Sequence, residues 1–396
     1  MRAVEMLREK LAGALSFLHA KRESALWRVV DAVLIGQQLW LTEIGRSLPG
    51  ECAVKHRVKA ADRFVGSSSI QQAVPKIYAA LASFLLARLK RPVLLVDWTG
   101  GESGFFVLSA QVAFAGRALT ILSRTHPEKE KATPKAERAF LEELKSIVPA
   151  GCRPVLVTDA GFLFKWVDAV AECGWDYIGR ARFKIMGVTI GGRCMRLVDA
   201  YKLAKRKPRD LGNVVLGLNN PRTHRAVLSA RPKRKGRISL NRKGAPRASA
   251  RIRAAEDGAR EPLFLITSLA DPAAVVTSIY KLRMQIEQTF RDTKSHRYGW
   301  SARLIRSKSH ARIDVLLLIG AIAAVAMHVI GLALRGGDIA RGFQANTEQT
   351  RHVFSTFFLA RLAVRQRVEP NVPERSLRAS LRTLLAMVLA IERIPA

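Results

Sequence analysis

Between Arg91 and Phe183 the sequence alternates short apolar runs with amphipathic ones in an order that few folds can accommodate. VLLVDWTG, FFVLSAQVAF and RALTILSRTH read as three strands, the last two turning around Gly116-Arg117 as in a hairpin. AERAFLEELKSIV has helical spacing, PVLVTDAGF returns to a strand, FKWVDAVAECG to a helix and WDYIGRARF to a strand. Three meandering strands, then helix, strand, helix, strand, specify a mixed sheet with helices on both faces. Two aspartates stand on this frame: Asp97, between four apolar residues and Trp98, and Asp159, at the end of the fourth strand. An aspartate at a strand end is ordinarily a turn or cap residue. Asp97 lies inside an apolar run, where an unpartnered carboxylate is costly and a bound cation would remove the cost.

Downstream, YKLRMQIEQTFRDTK (280–294) follows Asp271-Pro272, a helix-start pair, and no Gly or Pro interrupts it before Gly299. At 100° per residue, Tyr280, Arg283, Glu287 and Lys294 fall within about 60° of one another along roughly 21 Å of helix. Ile279, Leu282, Ile286 and Phe290 lie beside that stripe. The stripe reads either as the solvated face of an amphipathic helix or as a carboxylate and two cations at the edge of a core, suited to a metal ion and a polyanion.

The charge balance bears on that choice. The 396 residues include 66 Lys and Arg against 32 Asp and Glu, a net charge of +34. Such self-repulsion is best tolerated when the partner is a polyanion, nucleic acid first and an anionic membrane surface second. Residues 202–260 alone hold 18 basic against 3 acidic residues, centred on RPKRKGR and NRKGAPR, with VVLGLNN and HRAVLSA as strand-like neighbours. A β-rich basic insertion therefore interrupts the alternating pattern. Residues 1–85 lack strand alternation and read as helices, some basic (HRVKAADRFVGSS), either DNA-reading elements or a bundle with solvated cations.

Cys52, Cys152, Cys173 and Cys194 form no C-x-x-C pair and read as reduced thiols of a cytosolic protein, not zinc ligands. No apolar signal region precedes the first charges. Val315–Leu334 is uncharged and long enough to cross a bilayer, but it follows the 280–294 helix closely and contains His328. A buried packing helix is therefore preferred to a membrane span.

The spacing Y-x2-R-x3-E-x6-K, with DAGF at the upstream Asp159 and SHRYGW after the helix, resembles the signature of insertion-sequence DDE transposases of the cut-and-paste, hairpin-forming type. The resemblance covers nearly the whole chain. It implies an α/β fold with a ribonuclease-H-like mixed-sheet core, in which the first and fourth strands are neighbours and a later helix brings the third carboxylate. The layout it implies is a helical transposon-end DNA-binding domain (1–85), the first part of the core (86–182), the basic β-rich insertion (183–268), the second part of the core with the catalytic helix (269–335) and a helical dimerisation region (336–396).

By the same resemblance Asp97, Asp159 and Glu287 would be catalytic and would hold two Mg²⁺ ions, with Mn²⁺ as a substitute. Tyr280, Arg283 and Lys294, with Arg291, would contact DNA. The implied partners are double-stranded DNA, as terminal inverted repeats and target, and a second copy in a synaptic homodimer. No membrane is implied, and the place is the nucleoid of a bacterial cytoplasm. One departure stands out: hairpin-forming relatives stack a flipped base on a Trp in the strand before this helix, and EPLFLITS has none. Phe264 either supplies a smaller stacking face or is strand core. Two rival readings remain, a nuclease or resolvase of the same fold that cuts without joining, and a DNA-binding protein without catalysis.

Overall fold

A computed structural model gives the fold; the description covers residues 1–100, 104–162, 164–182, 187–217, 220–230, 261–336, 338–345, 347 and 351–392. RPKRKGR and NRKGAPR lie outside the described residues. In chain order the elements are α1 (Arg2–Leu11), α2 (Ala20–Gly36), α3 (Leu41–Ser47), α4 (Val54–Gly66), α5 (Ser68–Leu86), β1 (Val93–Gly100), β2 (Phe105–Phe114), β3 (Arg117–Pro127) and α6 (Pro134–Ile147). Then come β4 (Val155–Val157), α7 (Phe164–Glu172), β5 (Asp176–Ala181), β6 (Val188–Ile190), β7 (Arg193–Met195), the short α8 (Leu197–Ala200), β8 (Arg209–Leu216), β9 (Arg222–Ser229), β10 (Leu263–Thr267) and α9 (Ala273–Lys281). Helices α10 (Met284–Lys294), α11 (His310–Arg335), α12 (Thr356–Arg365) and α13 (Glu374–Glu392) complete the described chain. The chain forms two compact units, Met1–Pro154 with Leu282–Arg393, and Val155–Lys281.

In the first unit β1, β2 and β3 are antiparallel in the order β3-β2-β1. The β2–β3 turn places Ala115 and Gly116 at φ 39° and 82°, the two positive values a type I′ hairpin turn requires. Around the hairpin the core is organised by α11, a helix of 26 residues buried along most of its length. Helices α1, α2, α5, α12 and α13 and strand β3 all pack on it, so the helices before residue 85 share one core with the hairpin.

Small residues in α11 allow close approach: a Cβ on Gly320 would lie 2.9 Å from Leu39 Cδ1, and one on Gly331 would lie 1.9 Å from the Thr356 carbonyl oxygen. Asp314, the fifth residue of α11, accepts from the Thr125 amide (2.9 Å) and hydroxyl (2.8 Å) of β3 and pairs with Arg124 at 3.1 Å. His328 is enclosed beside Phe114 and Phe357, bonds to Thr356 Oγ1 at 2.8 Å, and is pushed by burial down to about 3. The apolar stretch is thus a packing helix, 89% of its most apolar window being buried.

In the second unit β4 runs parallel to β5, and antiparallel strands continue the sheet in the order β5-β10-β9-β8-β6-β7. The described part of the insertion is β-rich, as read, and it extends the sheet of β4 and β5: β10 pairs with β5, Phe264 lying opposite Ala181.

Candidate active site

Strand β1 and helix α10 supply the site in the first unit. Val93 to Val96 are all buried, which fixes β1 in the interior and leaves Asp97, opposite Ser109 of β2, as its first partly open position. Strand residues alternate in direction, so Thr99 lies on the same face as Asp97.

Helix α10 buries Ile286, Thr289 and Asp292, three residues apart on one face. Gln285 Oε1 accepts the Phe114 amide at 2.8 Å, and Thr289 Oγ1 accepts the Ala118 amide at 2.8 Å and donates to the Ala118 carbonyl at 3.0 Å. Asp292 Oδ2 pairs with Arg117 Nε at 2.6 Å. These rungs tie α10 to the backbone on both sides of the Ala115-Gly116 turn and aim its neighbouring face at β1.

On that face Arg283 Nη1 donates to Asp97 Oδ2 at 3.2 Å and Nη2 donates to Glu287 Oε1 at 2.7 Å. One guanidinium therefore bridges the strand aspartate and the helix glutamate. Lys294, seven residues beyond Glu287, donates to Thr99 Oγ1 and sits 5.8 Å from the centre of the Phe290 ring. Burial pushes the Lys294 ammonium down to about 8, with Arg303 acting the same way and Asp97 opposing. Trp98, pointing the other way from β1, donates to Glu137 Oε1 at 3.1 Å, and burial pushes that carboxyl up to about 7 against the hydrogen bond.

The single helix read over 280–294 is two. Helix α9 ends at Lys281 and α10 begins at Met284. At the join the Gln285 amide bonds to the Leu282 carbonyl (2.8 Å) and the Ile286 amide to the Arg283 carbonyl (3.2 Å), both three residues back. The tightened turn falls where the chain passes from the second unit into the first. Tyr280 lies in α9, in the second unit, and is 4% exposed.

Asp159 belongs to the second unit, two residues after β4. Its Oδ1 accepts the Gly161 amide at 2.7 Å, and a Cβ on Gly161 would stand 2.9 Å from that oxygen, which accounts for glycine in the DAG triplet. Arg291 is exposed, its Nη1 donating to Gln288 Oε1 at 3.4 Å. Phe264 is fully buried in β10. No face of its ring is open to a base, so the stacking role weighed for it gives way to strand core. Among the described residues no three His, Cys, Asp or Glu side chains are grouped to hold a metal ion.

Thr99, Gln285 and Thr289 were not picked out from sequence. Each carried a signal: Thr99 is two residues from Asp97 on a strand, and Gln285 and Thr289 are polar residues four apart on a helix, flanking the apolar Ile286.

Two carboxylates converging on one cation, with a desolvated lysine beside them in a strongly basic chain, suit phosphoryl transfer on a polyanion. Residues 88–324 match the profile of the transposase DDE domain family, and the chain belongs to that family. No curated protein matched the sequence. The matched segment starts ahead of β1, ends within α11 and includes Asp97, Asp159 and Glu287. The protein is a transposase, of a family that performs phosphoryl transfer on DNA, generally with divalent metal ions.

Proposed function

We propose that this transposase excises and inserts its element by a cut-and-paste route through hairpinned ends, on a ribonuclease-H-like core in which Asp97, Asp159 and Glu287 hold the metal ions. The observation that carries this reading is the Arg283 bridge: Asp97 Oδ2 and Glu287 Oε1 both turn to one positive charge. Their donors are carboxylate oxygens only, which suits Mg²⁺ or Mn²⁺ and not zinc. The guanidinium shows that both side chains can turn to one positive charge, as they would to hold a metal cation. When bound, a pair of such ions supplies an activated attacking oxygen and stabilises the leaving one.

The chain's own groups do the rest. Asp97 and Glu287, with Asp159, would hold the ions against which the reacting phosphate is set. Arg283 exchanges its carboxylates for phosphate oxygens, which it can grip in the same forked geometry. Lys294, poorly solvated, donates to a non-bridging oxygen more strongly than a lysine in water would. Arg291 offers an outer contact. Tyr280, 4% exposed in α9, completes the set of phosphate contacts in this reading.

In this reading the N-terminal helices recognise the terminal inverted repeats, the basic insertion follows the DNA backbone, and the C-terminal helices pair two copies in a synaptic homodimer in the bacterial cytoplasm. A labelled terminal-repeat duplex incubated with the protein and MgCl₂ tests it. Hairpins and strand-transfer products are expected, and Asp97→Ala should keep binding while losing every cut product. Plain nicks alone would favour a nuclease, and an Asp97→Ala protein of unchanged function would favour a non-catalytic DNA binder.

A further inference from the structure

Three residues beyond Lys294, at His296-Arg297, the first unit opens into a cleft of about 960 Å³ between the ends of α2 and α12. Its charged lining is Arg297, Arg361, Arg365 and Arg367, against the single carboxylate of Glu369. Among the described residues none of the four arginines forms an ion pair within 4 Å: Arg361 Nη2 donates to the His296 carbonyl at 3.4 Å, and Arg297 lies over the Tyr298 ring. Burial and the neighbouring Arg365 lower the Arg361 guanidinium, with Asp292 opposing.

Buried polar atoms without a hydrogen-bond partner gather in the same place, namely Arg361 Nη1, Gln38 Oε1 and Glu369 Oε1. Such atoms are rare in folded proteins and ask for a missing partner. An anionic oxygen would satisfy Arg361 Nη1, and the Gln38 amide, whose oxygen and nitrogen are interchangeable in placement, would offer its NH₂ to the same group. Burial raises the Glu369 carboxyl, which lessens its repulsion of an anion. The cleft is open and wide, so a chain of phosphates fits it better than one enclosed ion.

We propose that this cleft binds the phosphate backbone of duplex DNA flanking the scissile position. The proposal rests on the reading that the Asp97–Glu287 site works on DNA. Three residues of chain span at most about 10 Å, roughly the rise of three base pairs. DNA reacting beside Lys294 is therefore within about three base pairs of Arg297 and the mouth of the cleft.

The test compares full-length protein with an Arg297→Gln/Arg365→Gln variant. Both residues are exposed, so folding should be unaffected, and matched melting curves verify it. A Lys135→Gln/Lys145→Gln variant on the exposed side of α6 removes the same charge elsewhere. Affinity for a labelled terminal-repeat duplex is measured across a salt series. The slope of log K against log salt should become shallower by about 1.8 in the cleft variant, at about 0.9 per lost phosphate contact, and stay unchanged in the α6 variant. Cleavage by the cleft variant at saturating DNA should persist. Equal slopes for all three proteins, or equal losses in the two variants, would overturn the proposal. Failure of the active-site reading would show separately, as cleavage surviving Asp97→Ala.

Discussion

Replacing Arg283 by Met keeps a long side chain and removes the charge that joins Asp97 to Glu287. The two carboxylates differ in enclosure: the Asp97 side chain is 15% exposed and that of Glu287 41%. Stripping a buried carboxylate of its partner costs about 3–5 kcal/mol, whereas an open pair contributes about 1 kcal/mol or less. Asp97 is partly enclosed and has further interactions, so a loss of about 2–3 kcal/mol is expected, a fall in Tm of roughly 4–12 °C for a unit of this size.

The same substitution should make the pair a better cation site, because the Arg283 guanidinium no longer competes with the ion. Divalent metal at a hundred times its Kd would return about 2.7 kcal/mol. Thermal unfolding with and without MgCl₂ or MnCl₂ reads both effects. Arg283→Met should melt lower than the wild type in chelator and recover more with metal, and adding Asp97→Asn should abolish the recovery. An Arg283→Met protein that melts with the wild type, or that responds to metal no more than it does, would refute the reasoning.

Thr289→Val preserves shape but strands the Ala118 amide and carbonyl, each bonded to Thr289 Oγ1. At about 1–3 kcal/mol per unsatisfied buried group, urea unfolding should show a loss of about 2–6 kcal/mol that Thr289→Ser largely restores. Gly299→Ala would put a Cβ 1.7 Å from the Asp292 carbonyl oxygen, which already accepts the Trp300 amide at 2.8 Å; a loss of about 3 kcal/mol or more is expected in the same assay. Lys294 is held at about 8, below its ordinary 10.5, so the folded state releases this proton before the unfolded state does. Stability of the wild type relative to Lys294→Met should therefore rise as pH increases from about 8 to 10.5, and a flat difference in unfolding free energy across that window would contradict the burial of Lys294.

Much of this arrangement could be read from residue order because hydrophobic periodicity reports burial directly. The strands bearing Asp97 and preceding Asp159, helices α6 and α7, the strands β8 and β9 and the packing role of α11 all appear where their apolar spacing places them. The break at Leu282–Arg283 was invisible, since no Gly or Pro marks it and the helical wheel runs through it unchanged. Its cause is tertiary, a passage between units with Gln285 anchored to β2. That Arg283 would bridge carboxylates also depends on β1 and α10 meeting, which no local pattern encodes. Phe264 shows the opposite case: in an apolar strand, burial is the default outcome, and it prevailed.

In the proposed function Asp97, Asp159 and Glu287 share one metal centre. Substituting Fe²⁺ for Mg²⁺ in the DNA-bound protein, with ascorbate and peroxide, generates hydroxyl radicals that cut the polypeptide next to the ion. Cuts near residues 97, 159 and 287, suppressed together by excess Mg²⁺ and lost together in Glu287→Ala, are expected. Cutting near 97 and 287 that spares the chain around 159 would contradict the shared centre.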